Sequence, residues 1–175
     1  MARDLDDLFA YLDALQGRAP LDELKNVLAR CEVEIEDVAR FVRFSERCYQ
    51  RIPLRGGDWF QAWVMCWRNG QRSPIHDHAA SACAVCILDG TATVTRFERA
   101  ANGHIKAVAS EDFPPGTVVA SQDADVHQVS NLMARGDLVT LHTYTPPLLR
   151  MGTYSILDAT RSVDVWSEWI EDAGI

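Results

Sequence analysis

From Trp59 onward the chain is divided into short runs of β-branched, aromatic and small apolar residues with turn formers between them: WFQAWVMCW, ACAVCILDG, TATVTRF, HIKAVAS, TVVAS and DLVTLHTY. Many short strands at near-even spacing predict an antiparallel sandwich or barrel. The residues before them follow another period. Leu5, Leu8, Phe9, Leu12 and Leu15 recur at helical spacing. A second helix is predicted at APLDELKNVLARC, where Pro20 suits the first turn and Asp22 and Glu23 suit the positive helix end. A third covers about Glu34 to Phe44. No repeat, low-complexity tract or linker separates these parts. The reading is one domain over residues 1–175: a helical cover over about 1–45, a mainly β barrel over about 46–158, and a short C-terminal tail.

Composition limits the partners. The 175 residues suffice for one domain with a real core, and 47% hydrophobic with 24% charged residues is ordinary for a globular chain. A formal net charge of -8 argues against nucleic acid or an anionic membrane as partner. It leaves a small anionic substrate open, because one buried arginine reverses the local field. No run approaches the roughly 20 apolar residues of a membrane span, and the acidic, amphipathic start MARDLDDLFAYLDALQ is unlike a secretory signal. Five cysteines, an odd number scattered through apolar segments, read as reduced thiols in a cytoplasm. A cytoplasmic monomer is expected.

The stretch GQRSPIHDHAASACAVCILDG carries the candidate chemistry. Successive side chains of a strand alternate faces, so His76 and His78 would point the same way and grip one metal. An isolated H-x-H is a weak signal, and the flanks strengthen it. Gly70, five residues, His76, one, His78, four, Cys83, six, Gly90 resembles the first motif of the cupin barrels, where a glutamate commonly stands at the place of Cys83. Gly116, His127 and Asn131 keep the spacing of the second cupin motif, although Gln122 and Ala124 replace its usual proline and glycine. The resemblance implies a jelly-roll type β-barrel. Without the glutamate, three neutral imidazoles remain: His76, His78 and His127. A divalent ion on them keeps its double charge and open positions, which favours anionic ligands. A thiolate would suit iron(II) there, and zinc with a water would make a hydrolytic site; spacing does not choose between them.

In LVTLHTYTPP, Thr140, His142 and Tyr144 alternate with Val139, Leu141 and Thr143. A face of hydroxyl, imidazole and phenol is costly to bury unless its groups bond one another or a ligand. Beside a three-histidine site, a polar network lining the cavity is a better reading than an exposed edge.

Four blocks, CYQR (Cys48–Arg51), HDHAASAC (His76–Cys83), DVHQVSN (Asp125–Asn131) and VTLHTYTPP (Val139–Pro147), together resemble the thiol dioxygenases, the cysteine dioxygenases above all. The resemblance spans about Tyr49 to Pro147 and implies iron(II) on His76, His78 and His127. It implies L-cysteine and O₂ as substrates and cysteine sulfinic acid as product. Arg51 would clamp the substrate carboxylate with help from Tyr49, and Tyr144 would be the active-site phenol supported by Thr140 and His142. A cysteine at the place of Cys83 is joined by a thioether to that tyrosine in the animal enzymes, and many bacterial relatives have glycine there. Thr140 stands where the family has serine, and Ala82 where the animal enzymes have histidine. The Thr145–Pro146 bond matches a family position where a cis bond is an option; the sequence leaves it undecided.

Rival readings stay open. Arg55 competes with Arg51, and Gln50 is one residue from the place where relatives acting on 3-mercaptopropionate carry glutamine. Cys83 and Cys86 form a C-x-x-C, but on a strand residues three apart face opposite sides, which disfavours a redox or zinc use. Cys31, Cys48, Cys66 and Cys86 read as core residues, His104 as a solvated loop residue, and Trp59, Trp63, Trp67, Trp166 and Trp169 as packing. The alternatives to a cysteine dioxygenase are a dioxygenase of another small thiol acid, such as 3-mercaptopropionate or mercaptosuccinate, and a metal-binding cupin without turnover.

Overall fold

The computed structural model describes residues 5–165. Two helices, α1 (Leu5–Asp13) and α2 (Leu21–Arg30), and a 3₁₀ helix at Ile35–Phe41 precede eleven strands. The third helical segment is therefore shorter and tighter than the expected Glu34–Phe44 helix. Glu34 and Asp37 close its first turn through Glu34 N–H on Asp37 Oδ2 at 2.9 Å. None of the helices described is long and apolar enough to cross a membrane.

The strands β1 (Gln50–Gly57), β2 (Phe60–Trp67), β3 (Ile75–His76), β4 (Ala82–Asp89), β5 (Ala92–Arg99), β6 (Ile105–Phe113), β7 (Val118–Gln122), β8 (Val126–Ser130), β9 (Leu138–Thr145), β10 (Arg150–Tyr154) and β11 (Arg161–Val165) form two sheets. One runs β1-β2-β9-β4-β7 and the other β11-β10-β3-β8-β5-β6. Among the described residues no ladder joins them, so the jelly roll is two apposed sheets with open edges. Strand β11 lies beyond residue 158, where a tail was expected, and pairs with β10 from Arg150↔Val165 to Tyr154↔Arg161. Trp166 and Trp169 lie outside the described residues.

The central strands β2, β9 and β4 of the first sheet are buried on both faces, which explains why AWVMCW and ACAVCIL are unbroken apolar runs. Ala62, Val64, Cys66, Ala84, Cys86, Val139 and Leu141 face outward onto Leu8, Phe9, Leu12, Leu24 and Leu28 of the helical cover. The alternate residues Trp63, Met65, Trp67, Cys83, Val85, Leu138 and Tyr144 face inward, toward the second sheet. The helices thus seal one side of β2, β9 and β4 and leave their other side to build an interior site. Gly90, in the β4–β5 turn, has φ +75°, and a Cβ there would overlap the Asp137 carbonyl oxygen. Both facts require glycine at the end of the first motif. The Thr145–Pro146 bond is cis.

Candidate metal centre and substrate cavity

His76 ends β3 and pairs directly with His127 on β8. His78 is not on that strand: β3 stops at His76, so strand alternation is not what aligns the pair. Loop contacts do it instead. His78 N–H donates to Asp123 O at 3.0 Å, and His78 O accepts from Ser81 N–H at 2.9 Å. The three rings converge with centroids 4.4–5.2 Å apart, and one ligand nitrogen from each lies within 4.8 Å of the others.

The backbone selects the tautomer of two of these rings. His76 Nδ1 lies 2.9 Å from Pro74 O and His127 Nδ1 lies 3.0 Å from Asp125 O. A carbonyl oxygen only accepts, so Nδ1 carries the proton in both and Nε2 keeps its lone pair. Burial, reinforced by His127, lowers His76 to about 3. Burial also lowers His78, together with its neighbours His127 and His76, and lowers His127. The imidazoles are neutral at pH 7, the form that ligates. Three buried neutral donors with no carboxylate among them fit a divalent metal with positions left for other ligands.

Beside this centre, β9 presents Thr140, His142 and Tyr144 to the interior, all buried. Trp67 Nε1–H donates to Thr140 Oγ1 at 3.0 Å, Thr140 Oγ1 lies 2.9 Å from His142 Nε2, and His142 Nδ1 lies 3.3 Å from Tyr144 Oη. Trp67 is therefore part of the polar chain as well as packing, a role the sequence reading missed. Its indole N–H was the only available signal. Burial, then Arg51, lowers His142 well below the usual range. Tyr144 sits directly opposite Cys83 in the β4–β9 register. Burial, then Cys83, raises the phenol, while burial raises the Cys83 thiol against an opposing hydrogen bond from Tyr144. Both hold their protons at neutral pH. Cys83 is not one of the clustered metal donors.

The cavity next to His76, His142 and Tyr144 is also lined by Tyr49, Arg51 and Trp67. Arg51 is 8% exposed, its guanidinium 5.0 Å over the Trp63 ring. Tyr49 stacks on Trp67 at 4.1 Å and 14°. Arg55 goes elsewhere: a bulge between Pro53 and Arg55 breaks the alternation that would have put both arginines on one face. Its side chain is 47% exposed, bonded to Asp13 at 2.6 Å and lying over Phe9. The Gln50 amide turns back onto Cys48 O at 3.2 Å and lines no part of the cavity. Cys31, Cys66 and Cys86 are buried, Cys48 is half-buried, His104 is exposed, and Trp59 is 41% exposed rather than packed.

The two-sheet fold matches a double-stranded β-helix protein from Klebsiella pneumoniae at a TM-score of 0.57 and 15% identity, over 66% of this chain and 87% of that one. It also matches a cupin superfamily protein from Desulfitobacterium hafniense at 0.51 and 16%, over 63% and 88%. In sequence the chain is 26% identical over 157 residues to cysteine dioxygenase type 1 of Danio rerio, covering 86% of this chain and 78% of that one. It is 28% identical over 151 residues to that of Rattus norvegicus, covering 83% and 76%. The family model described as cysteine dioxygenase type I matches residues 2–156, and the chain belongs to that family of dioxygenase enzymes.

Proposed function

We propose that the chain is an iron(II)-dependent thiol dioxygenase that converts L-cysteine and O₂ to cysteine sulfinic acid, as a monomer in the cytoplasm. The observation that carries this reading is the triad of buried neutral imidazoles, free of carboxylate, of which His76 lines a cavity that also holds a buried arginine and a phenol. Iron(II), held by His76, His78 and His127, would supply the electron transfer that joins the substrate thiolate to O₂.

The protein's own groups orient and protect. Arg51 is held against Trp63 and takes the substrate carboxylate in two parallel charge-assisted hydrogen bonds, with help from Tyr49 of the same cavity. Met65, Leu148 and Met151 line the same cavity and keep water from the sulfur. One proton arrangement gives every hydrogen of the β9 chain a partner: Trp67 donates to Thr140, Thr140 to His142 Nε2, and His142 Nδ1–H to Tyr144 Oη. Tyr144 then has its own proton to donate, to Cys83 or to the reacting sulfur and oxygen atoms. A module that only stored metal would need no such phenol. Sulfur loses four electrons, O₂ gains four, and both oxygen atoms end on sulfur, so no external reductant enters. Turnover also couples Cys83 Sγ to the Tyr144 ring, with loss of two hydrogen atoms to oxygen.

The test is metal analysis of protein purified without air, followed by O₂ uptake with L-cysteine, 3-mercaptopropionate, mercaptosuccinate and cysteamine. One iron per chain and highest kcat/KM for L-cysteine is expected. Zinc without O₂ uptake overturns the reading, and preference for 3-mercaptopropionate overturns the substrate.

A further inference from the structure

The residue between the two neighbouring histidines points the opposite way, into a site of its own. Asp77 is 2% exposed, and its carboxylate accepts four hydrogen bonds. Oδ1 takes Gly152 N–H at 2.9 Å and Ala79 N–H at 3.0 Å; Oδ2 takes Tyr154 Oη–H at 2.5 Å and Arg161 Nη2–H at 2.9 Å. Arg161 Nε–H also donates to Tyr154 Oη at 2.9 Å, so the two partners are bonded to each other. Asp77 N–H in turn donates to Gly152 O at 2.9 Å. A Cβ on Gly152 would overlap Asp77 Oδ2 and come within 2.7 Å of Arg161 Nη2. The carboxylate is therefore seated against bare backbone.

We propose that Asp77, clamped by Tyr154 and Arg161, is the positioning residue that holds His76 and His78 at metal-binding geometry. The inference rests on the three-histidine metal reading above. His78 lies past the end of β3, and the next residue, Ala79, has φ +51°, a conformation that L-residues rarely hold unaided. The Ala79 N–H bond to Asp77 Oδ1 stabilises that turn. The Oδ2 bonds tie the same side chain to β10 and β11, which pair across Tyr154↔Arg161. A buried carboxylate must keep its donors, so the segment from His76 to Ala79 has one low-energy placement. The hairpin β10–β11 thus supports the metal site through Tyr154 and Arg161. With all its acceptor directions used, Asp77 is not itself a ligand.

The clamp is tested with cobalt(II) as the probe metal. Metal-free wild type, Asp77→Asn and Tyr154→Phe are titrated in competition with a chelator, the visible bands of the saturated proteins are recorded, and the metal-free melting temperatures are measured. Loss of an outer partner of a ligating segment weakens metal affinity by about 10- to 100-fold. Asp77→Asn is expected in that range with shifted cobalt bands. Tyr154→Phe, which keeps the charge and Arg161, is expected to lose less affinity, with a smaller fall in melting temperature than Asp77→Asn and shifted cobalt bands. Wild-type affinity and superimposable bands in both variants overturn the clamp. So does an affinity loss that only follows a falling melting temperature while the bands stay unchanged. A wild type that binds no cobalt overturns the metal reading itself, a separate result.

Discussion

Replacing Arg51 removes the one guanidinium that lines the cavity among the described residues. If Arg51 receives the substrate carboxylate, Arg51→Ala leaves that charge desolvated and unpaired, a loss of about 2–5 kcal/mol. At 1.4 kcal/mol per factor of ten, kcat/KM for L-cysteine falls about 30- to several-thousand-fold. Arg51→Lys keeps the charge but loses the fork and is expected to fall between wild type and alanine. The Trp63 contact contributes about 0.5–2 kcal/mol to the fold, so melting temperatures are measured in parallel. Arg55→Ala is the control: its ion pair with Asp13 joins side chains 47% and 44% exposed, a geometry worth at most about 1 kcal/mol. O₂ uptake against L-cysteine and cysteamine reads the effect. Cysteamine has no carboxylate, so it should be a poor substrate of wild type and nearly indifferent to Arg51→Ala. Equal losses for both thiols, or an inactive Arg55→Ala beside an active Arg51→Ala, refute the assignment.

The Cys83–Tyr144 coupling predicts a second, faster band on a denaturing gel after turnover; Cys83→Ala should abolish it and retain substantial activity, whereas a fully alkylatable Cys83 after many turnovers contradicts it. Thr140→Val removes the oxygen shared by Trp67 and His142, a loss of about 1–3 kcal/mol, or about 5- to 150-fold if it falls on kcat. Thr140→Ser should restore the rate with iron content unchanged throughout, and a wild-type kcat for Thr140→Val refutes the proton arrangement. The metal-free protein should lose stability in acid, because His76 is lowered to about 3 while the unfolded chain takes up that proton near pH 6.5. Unfolded protein binds more protons across that window, so stability rises with pH; at pH 5.5 one such imidazole removes about 1.4 kcal/mol, about 3–6 °C in Tm. A flat Tm from pH 7.5 to 5.5 contradicts the burial of neutral histidines.

What was legible in the chain depended on local period and spacing. The run DLVTLHTY announced β9 and the inward set Thr140, His142 and Tyr144, because strand alternation needs no knowledge of neighbours. The three clustered histidines were legible as a spacing, but the reason given for His78 was not the operative one: it lies in a loop bonded to Asp123 O and closed by Ala79 N–H on Asp77 Oδ1. Asp77 itself read as a spacer because its donors, Tyr154 and Arg161, lie 77 and 84 residues away. Strand β11 was hidden for another reason: its five residues RSVDV alternate too briefly to announce a strand, and its pairing is set by the neighbouring β10. Arg51 and Arg55 could not be separated from local pattern, since only the bulge between Pro53 and Arg55 sends them to opposite faces. Trp67 was legible as apolar mass and not as a donor, because an indole bears both characters.

The central claim is that the three-histidine centre delivers both atoms of O₂ to the sulfur of cysteine, and isotope labelling of the product tests it most directly. Iron-loaded protein is supplied with L-cysteine and ¹⁸O₂ in ordinary water, and the product is weighed by mass spectrometry. Cysteine sulfinic acid carrying two heavy oxygens is expected. Cystine as the only product, or a sulfinic acid with oxygen drawn from water, contradicts it.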